Sequence, residues 1–137
     1  MSVDPEDDSC PTFFFDRSIG KAVPRALQAV RVHAVSHDDH YPAQRRVPDE
    51  TWIAEQTELG HVLVTKDKGV RHRASEVAAI RSADARLLVL TDRHANRLRM
   101  LRAIMIAWPK IERIVDTELI GPWIVTISAA GAFNKVL

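Results

Sequence analysis

The sequence predicts an α/β domain, a three-layer sandwich around a small, mainly parallel central sheet. Short apolar runs alternate with stretches of helical periodicity along most of the chain. Start and stop signals frame the helical stretches, among them Pro48-Asp49-Glu50 and Gly60. Two aspartates, Asp16 and Asp67, each directly follow an apolar run, at the strand ends where parallel sheets place their sites.

Thr12–Phe15 (TFFF) reads as a buried strand ending at Asp16. Ile19, Val23, Leu27 and Val30 follow at spacings of four, four and three. They form one face of a helix that tolerates Pro24 in its first turn. Val30–Val35 (VRVHAV) alternates apolar and polar residues, the pattern of a half-exposed second strand. SHDDHYPAQRR, beginning at Ser36, has no periodicity and reads as a polar loop. The helix opened by Asp49 carries Trp52, Ile53 and Leu59 and stops at Gly60. His61–Thr65 (HVLVT) is a third strand, handing on to Lys66-Asp67-Lys68. Ser75 caps a helix reaching Ala83, and Leu87–Leu90 is a fourth strand. Leu98, Leu101, Met105 and Trp108 mark a longer helix, which Pro109 is expected to separate from a short one carrying Ile111, Ile114 and Val115. Pro122–Ser128 is the last predicted strand, and the residues from Ala129 carry no signal.

With 137 residues, no internal repeat and no linker, the expected division is an acidic leader over 1–10 and one domain over 11–137. Residues 1–9 hold Asp4, Glu6, Asp7 and Asp8 without a base, so the formal net charge of +1 conceals a body with 19 bases against 14 acids. Such a body suits a polyanionic partner. The leader is expected to be loosely attached. Cys10 is the single cysteine, which precludes an internal disulfide. No apolar run approaches the roughly eighteen residues of a membrane span, and a cytoplasmic location without membrane association is expected.

Three chemistries find no support. His37-Asp38-Asp39-His40 has no further histidine or cysteine at zinc-ligand spacing. Gly69 lacks the flanking residues of a phosphate loop, and no serine sits in a nucleophile elbow.

The aspartates remain. Asp16 follows the first strand, Asp67 the third, and Asp49 opens the helix that leads into the third, so all three fall at one rim of the sheet. Three convergent carboxylates repel one another unless a cation joins them, and Mg²⁺ favours oxygen ligands. Each acid also has a simpler account: Asp49 complements a helix dipole, Asp16 forms a turn, and Asp67 is a solvated loop charge. Arg17, Lys66, Lys68, Arg71 and Arg73 lie beside them in sequence and would suit a phosphate. Arg93, Arg97, Arg99 and Arg102 form a second basic cluster, in which Arg99 and Arg102 share a helix face.

The stretch PDETWIAEQTELGHVLVTKDK, with its helix-opening aspartate, terminating glycine and strand closing in Thr-x-Asp, resembles a segment of PIN-domain nucleases. The opening FFFDRSIGKAVPRAL resembles the compact branch of that group, and GPWIVTI echoes its closing strand. The likeness is greatest to VapC-type toxins of bacterial toxin–antitoxin pairs. It implies a Mg²⁺- or Mn²⁺-dependent endoribonuclease, often dimeric, held inactive by a cognate antitoxin. Asp16, Asp49 and Asp67 correspond to the family's metal-binding and catalytic acids. The glutamate usually carried on a helix between the first two is missing here; Glu76 is its leading substitute, followed by Asp38 and Asp39. That gap leaves a non-catalytic PIN-like module that binds RNA or a partner as one alternative. The other is a phospho-receiver with Asp67 as acceptor and Thr91 nearby. Against it, Arg17 rather than a second acid follows Asp16, and no lysine follows Ser128 until Lys135.

Overall fold

The computed structural model of the chain describes residues 11–42, 46–67 and 70–137, without the side chains of 70–73. The expected leader over 1–10 lies outside them. Eleven elements follow one another: β1 Phe13–Phe15, α1 Ala22–Ala29, β2 Ala34–Ser36, α2 His37–His40, α3 Asp49–Glu58, β3 Val62–Lys66, α4 Val70–Ala83, β4 Arg86–Leu90, α5 Arg97–Thr117, β5 Trp123–Ile127 and β6 Phe133–Lys135. They build one six-stranded sheet in the order β2-β1-β3-β4-β5-β6. The first five strands pair in parallel, and β6 runs antiparallel to β5. The expected three-layer α/β architecture is therefore the observed one.

Strand alternation sorts the apolar residues into two cores. Phe13, Phe15, Val62, Val64, Leu88, Leu90, Val125 and Ile127 face one side, where α1 contributes Val23 and Leu27 and α5 contributes Met100, Ala103, Ile104 and Ala107. Phe14, Leu63, Leu87, Val89 and Ile124 face the other, against Tyr41, Trp52, Ile53 and Ile80. Trp123 is buried inside the chain and donates its indole N–H to the Glu118 carbonyl at 3.1 Å. Trp108 packs against Phe13 with the rings tilted and their centroids 5.5 Å apart.

Several elements differ from the sequence reading. The second strand begins at Ala34 rather than Val30, because α1 ends in a reversal in which Arg31 takes a left-handed conformation (φ 67°). Val30 and Leu59, assigned to buried helix faces, are exposed. His37–His40 is a short helix rather than loop: Ser36 caps it, its hydroxyl accepting the Asp39 amide at 3.2 Å. The fourth helix starts at Val70, so Ser75 lies inside it. Pro109 does not divide α5. Met100, Ala103, Ile104, Ala107, Ile111, Ile114 and Val115 form one continuous buried stripe, and packing along it outweighs the hydrogen bond that proline cannot make. The predicted stripe followed the larger side chains and missed the buried alanines, so Leu98 and Met105 point to solvent. β6 arises from a tail without a sequence signal.

Phe14 is fully buried at the centre of the α3-side core. Phe14→Ala is expected to cost about 3–5 kcal/mol, read from the urea midpoint; a loss below about 1 kcal/mol would refute the packing described.

Candidate active site

From β1 the chain moves outward to β2, then returns across β1 to β3. Such a change of direction leaves a crevice at the carboxyl ends of the strands. Asp16 stands at this point. It is 3% exposed, and it is the only buried carboxylate among the described residues.

An ionised carboxylate in a core needs hydrogen-bond donors. Asp16 Oδ1 accepts the Arg17 amide at 2.7 Å. Oδ2 accepts the Ser18 hydroxyl and the Thr65 hydroxyl, each at 2.9 Å. Ser18 in turn accepts the Lys66 amide at 3.2 Å, tying the turn after β1 to the end of β3. Register explains the arrangement. Phe15 pairs with Val64, so the next residues, Asp16 and Thr65, come side by side. Both sit two residues beyond Phe14 and Leu63, which puts them on the α3 side of the sheet.

Asp67 follows β3 directly, half-buried, its amide bonded to the Leu90 carbonyl at 2.8 Å. Asp49 is the first residue of α3, at the same rim, and accepts the Trp52 indole N–H at 3.0 Å. Glu76 is half-buried in the second turn of α4 rather than the first. Lys66 is half-buried at the end of β3, while Lys68 and the side chains of Arg71 and Arg73 lie outside the described residues. Among the described residues, no group of three or more His, Cys, Asp or Glu side chains is gathered closely enough to hold a metal ion. The donors at the rim are nonetheless hard oxygens, and Mg²⁺ commonly uses only one or two carboxylates with water completing its shell. The donor chemistry at the rim therefore suits a hard cation, without a gathered set of three ligands among the described residues.

α2 extends the rim. Arg17 Nε donates to Asp38 Oδ1 at 3.0 Å, and Lys21 pairs with Asp39 at 3.1 Å. The bond from Lys21, then that from Ser36, holds the Asp39 carboxyl below its ordinary value. His37 is the correction to a solvated HDDH loop. It is buried among Phe14, Tyr41 and Trp52, with ring centroids at 5.9, 4.9 and 6.4 Å. Its Nδ1 has no hydrogen-bond partner among the described residues; the nearest carboxylate oxygen, on Asp38, is 3.7 Å away. Burial, followed by the charge of Arg17, lowers its pKa against the opposing pull of Asp16 and Asp38. Two surface hollows, of about 480 and 390 Å³, lie elsewhere, one beside Tyr41 and Glu55, the other between α3 and α4.

Ser18, Thr65 and His37 are thus the members of the site that residue-by-residue reading did not single out. Thr65 carried a signal in the Thr-x-Asp turn; Ser18 and His37 become significant only through register and burial.

A family model described as a PIN like domain matches residues 11–92, from the start of β1 through the turn after β4. The chain belongs to the PIN-like domain family. PIN domains are generally nucleases that use divalent metals, and the matched span contains Asp16, Asp38, Asp39, Asp49, Asp67 and Glu76. No curated protein and no solved structure matches the chain. No helix among the described residues is long and apolar enough to cross a membrane.

Two outcomes follow from the geometry. Thr65→Val strips Asp16 of a buried donor and is expected to cost about 1–3 kcal/mol, whereas Thr65→Ser keeps most of it; equal urea midpoints for the two would refute the bond. His37 stays neutral in the folded state below its ordinary pKa of 6.5, while the unfolded chain takes up the proton. Stability is therefore expected to fall as pH drops from 6.5 toward the lowered folded pKa, and His37→Phe should flatten that slope. An unchanged slope in denaturation midpoints between about pH 7.5 and 5 would refute the assignment.

Proposed function

We propose that this PIN-like domain is a metal-dependent endoribonuclease with Asp16 at its centre, of the VapC toxin type, paired with a cognate antitoxin and acting in the cytoplasm as a homodimer. One observation carries the reading. A carboxylate is buried at the point where the sheet changes direction, held in one orientation by an amide and two hydroxyls. Structural aspartates are seldom placed at this cost; a group that must present charge to a cation is.

Asp16 is the direct holder of Mg²⁺ or Mn²⁺, with Asp67 and Asp49 at the same rim as its partners and Glu76 as a further acid. When bound, such an ion supplies positive charge at the scissile phosphate and a water acidic enough to attack near neutral pH. Thr65 and Ser18 fix the angle of the Asp16 carboxylate. Arg17 and Lys66, next to it in the fold, position a phosphate oxygen, and Lys68 and Arg71 belong to the same basic surround. Single-stranded RNA suits a rim of this kind, because unstacked nucleotides can enter it.

Cleavage of total cellular RNA with Mg²⁺ or Mn²⁺ tests this. Asp16→Asn and Asp67→Ala are each expected to lower the rate at least ~100-fold, with circular dichroism confirming that both variants fold. An inert wild type, or variants as active as wild type, would leave a binding module.

A further inference from the structure

Some of the cations near the rim are already engaged, whereas Lys66 and Arg93 are in no ion pair among the described residues. Arg17 is bonded to Asp38, Lys21 to Asp39 and, farther off, Lys135 to Glu118 at 2.7 Å. α5 is different. Arg99, Arg102, Lys110 and Arg113 are all exposed, and none of them makes a side-chain hydrogen bond or ion pair among the described residues. With Ile106 they follow at spacings of three, four, four and three, which makes them one straight ridge along the helix. Of the two acids of α5, Asp116 lies three residues beyond Arg113, a neighbour by the same spacing, and Glu112 falls on the adjoining ridge.

The ridge begins at the same edge of the sheet as the candidate site, on the face opposite the Asp16 side chain. The Asp67 amide is bonded to Leu90, the last residue of β4, and the turn after β4 carries the exposed Arg93 and His94 before Asn96 caps α5. From Arg99 to Arg113 the helix covers roughly 21 Å at 1.5 Å per residue. Unpaired like charges along one ridge repel one another, and guanidinium groups bind phosphate oxygens in pairs. A folded protein surface would ask for apolar contact as well. Here Leu98 and Met105, seven residues apart, are exposed on the adjoining face beside the partly buried Leu101 and Trp108, and Ile106 is exposed within the ridge itself.

We propose that the Arg99–Arg102–Lys110–Arg113 ridge is an accessory track for the backbone of single-stranded RNA. The strand runs from the Asp16 rim across the Arg93 turn and down α5. This rests on the nuclease reading for its direction, though not for its existence. Phosphate contacts of this kind hold RNA without reading its sequence, so they position a long substrate and leave the choice of bond to the rim.

The test is binding rather than cleavage, which separates the two proposals. Fluorescence anisotropy of a labelled oligouridylate about 20 nucleotides long, titrated with Asp16→Asn protein in EDTA over a range of KCl, gives affinity and its salt slope. Replacing the four ridge cations by glutamine is expected to weaken binding at least ~10-fold near 0.1 M salt. The slope should flatten by about 0.7 for each phosphate that the variant no longer neutralises. An Arg81→Gln/Lys135→Gln control, which removes exposed charge elsewhere, should change neither. Equal affinity and slope in ridge variant and parent would overturn the track, whatever the cleavage assay shows. If in addition Leu98→Ser/Met105→Ser altered sedimentation while RNA binding stayed intact, the face would be a protein contact and the proposal wrong.

Discussion

The charge on Asp16 is the constraint around which the rest of the site is arranged. A carboxylate taken out of water loses several kcal/mol of hydration, and charge-assisted hydrogen bonds must replace it. Each donor that does so comes from a different structural commitment. The Arg17 amide requires the chain to turn immediately after β1. Ser18 requires that turn to close back on Lys66. Thr65 requires the β1–β3 register in which Phe15 meets Val64. A slip of one residue would put Val64 or Lys66 beside Asp16 and reverse every side chain of β3 between the two cores. The same turn starts the approach to α1, whose Val23 and Leu27 close the opposite core. One buried charge thus joins strand register, turn and helix packing.

Much of this was legible in the sequence because it depends on neighbours along the chain. The run TFFF, the Asp49 helix start and the Gly60 stop act through local periodicity, dipole and backbone freedom. They led to the observed fold class and to the strand ends beside which Asp16 and Asp67 stand. What was not legible depends on contacts between distant segments. His37 looked solvated because its own tetrapeptide is polar; only the packing of Phe14, Tyr41 and Trp52 around it makes it a core residue. Ser18 is an ordinary turn serine until β3 is placed beside it. α5 was misread for a related reason. Its buried stripe contains Ala103 and Ala107, small residues that allow close approach to the sheet, so the larger Leu98 and Met105 drew the predicted face away from the true one.

The strand order β2-β1-β3-β4-β5 is shared by doubly wound folds of many activities, so the architecture does not choose between a nuclease and a receiver. The side chains do. The receiver alternative takes Asp67 as its acceptor, and after the first strand Arg17 rather than a second acid follows Asp16. No lysine follows β5 before Lys135 in β6; Ser128 instead accepts the Ala132 amide at 2.9 Å and shapes the turn into β6. The family match over residues 11–92 falls on the same side of that choice.

The two basic regions differ in how they would meet a phosphate. Along α5 the ridge cations are in no ion pair among the described residues, and a polyanion gains their attraction reduced by salt and by Glu112 and Asp116 on the same helix. Beside Asp16 the nearest cation is already occupied: Arg17 holds Asp38 across the β1–β2 gap, with about half of its side chain exposed. An exposed pair of this kind is worth only about 0–1 kcal/mol, so a phosphate that offers two oxygens to the guanidinium displaces Asp38 at little cost.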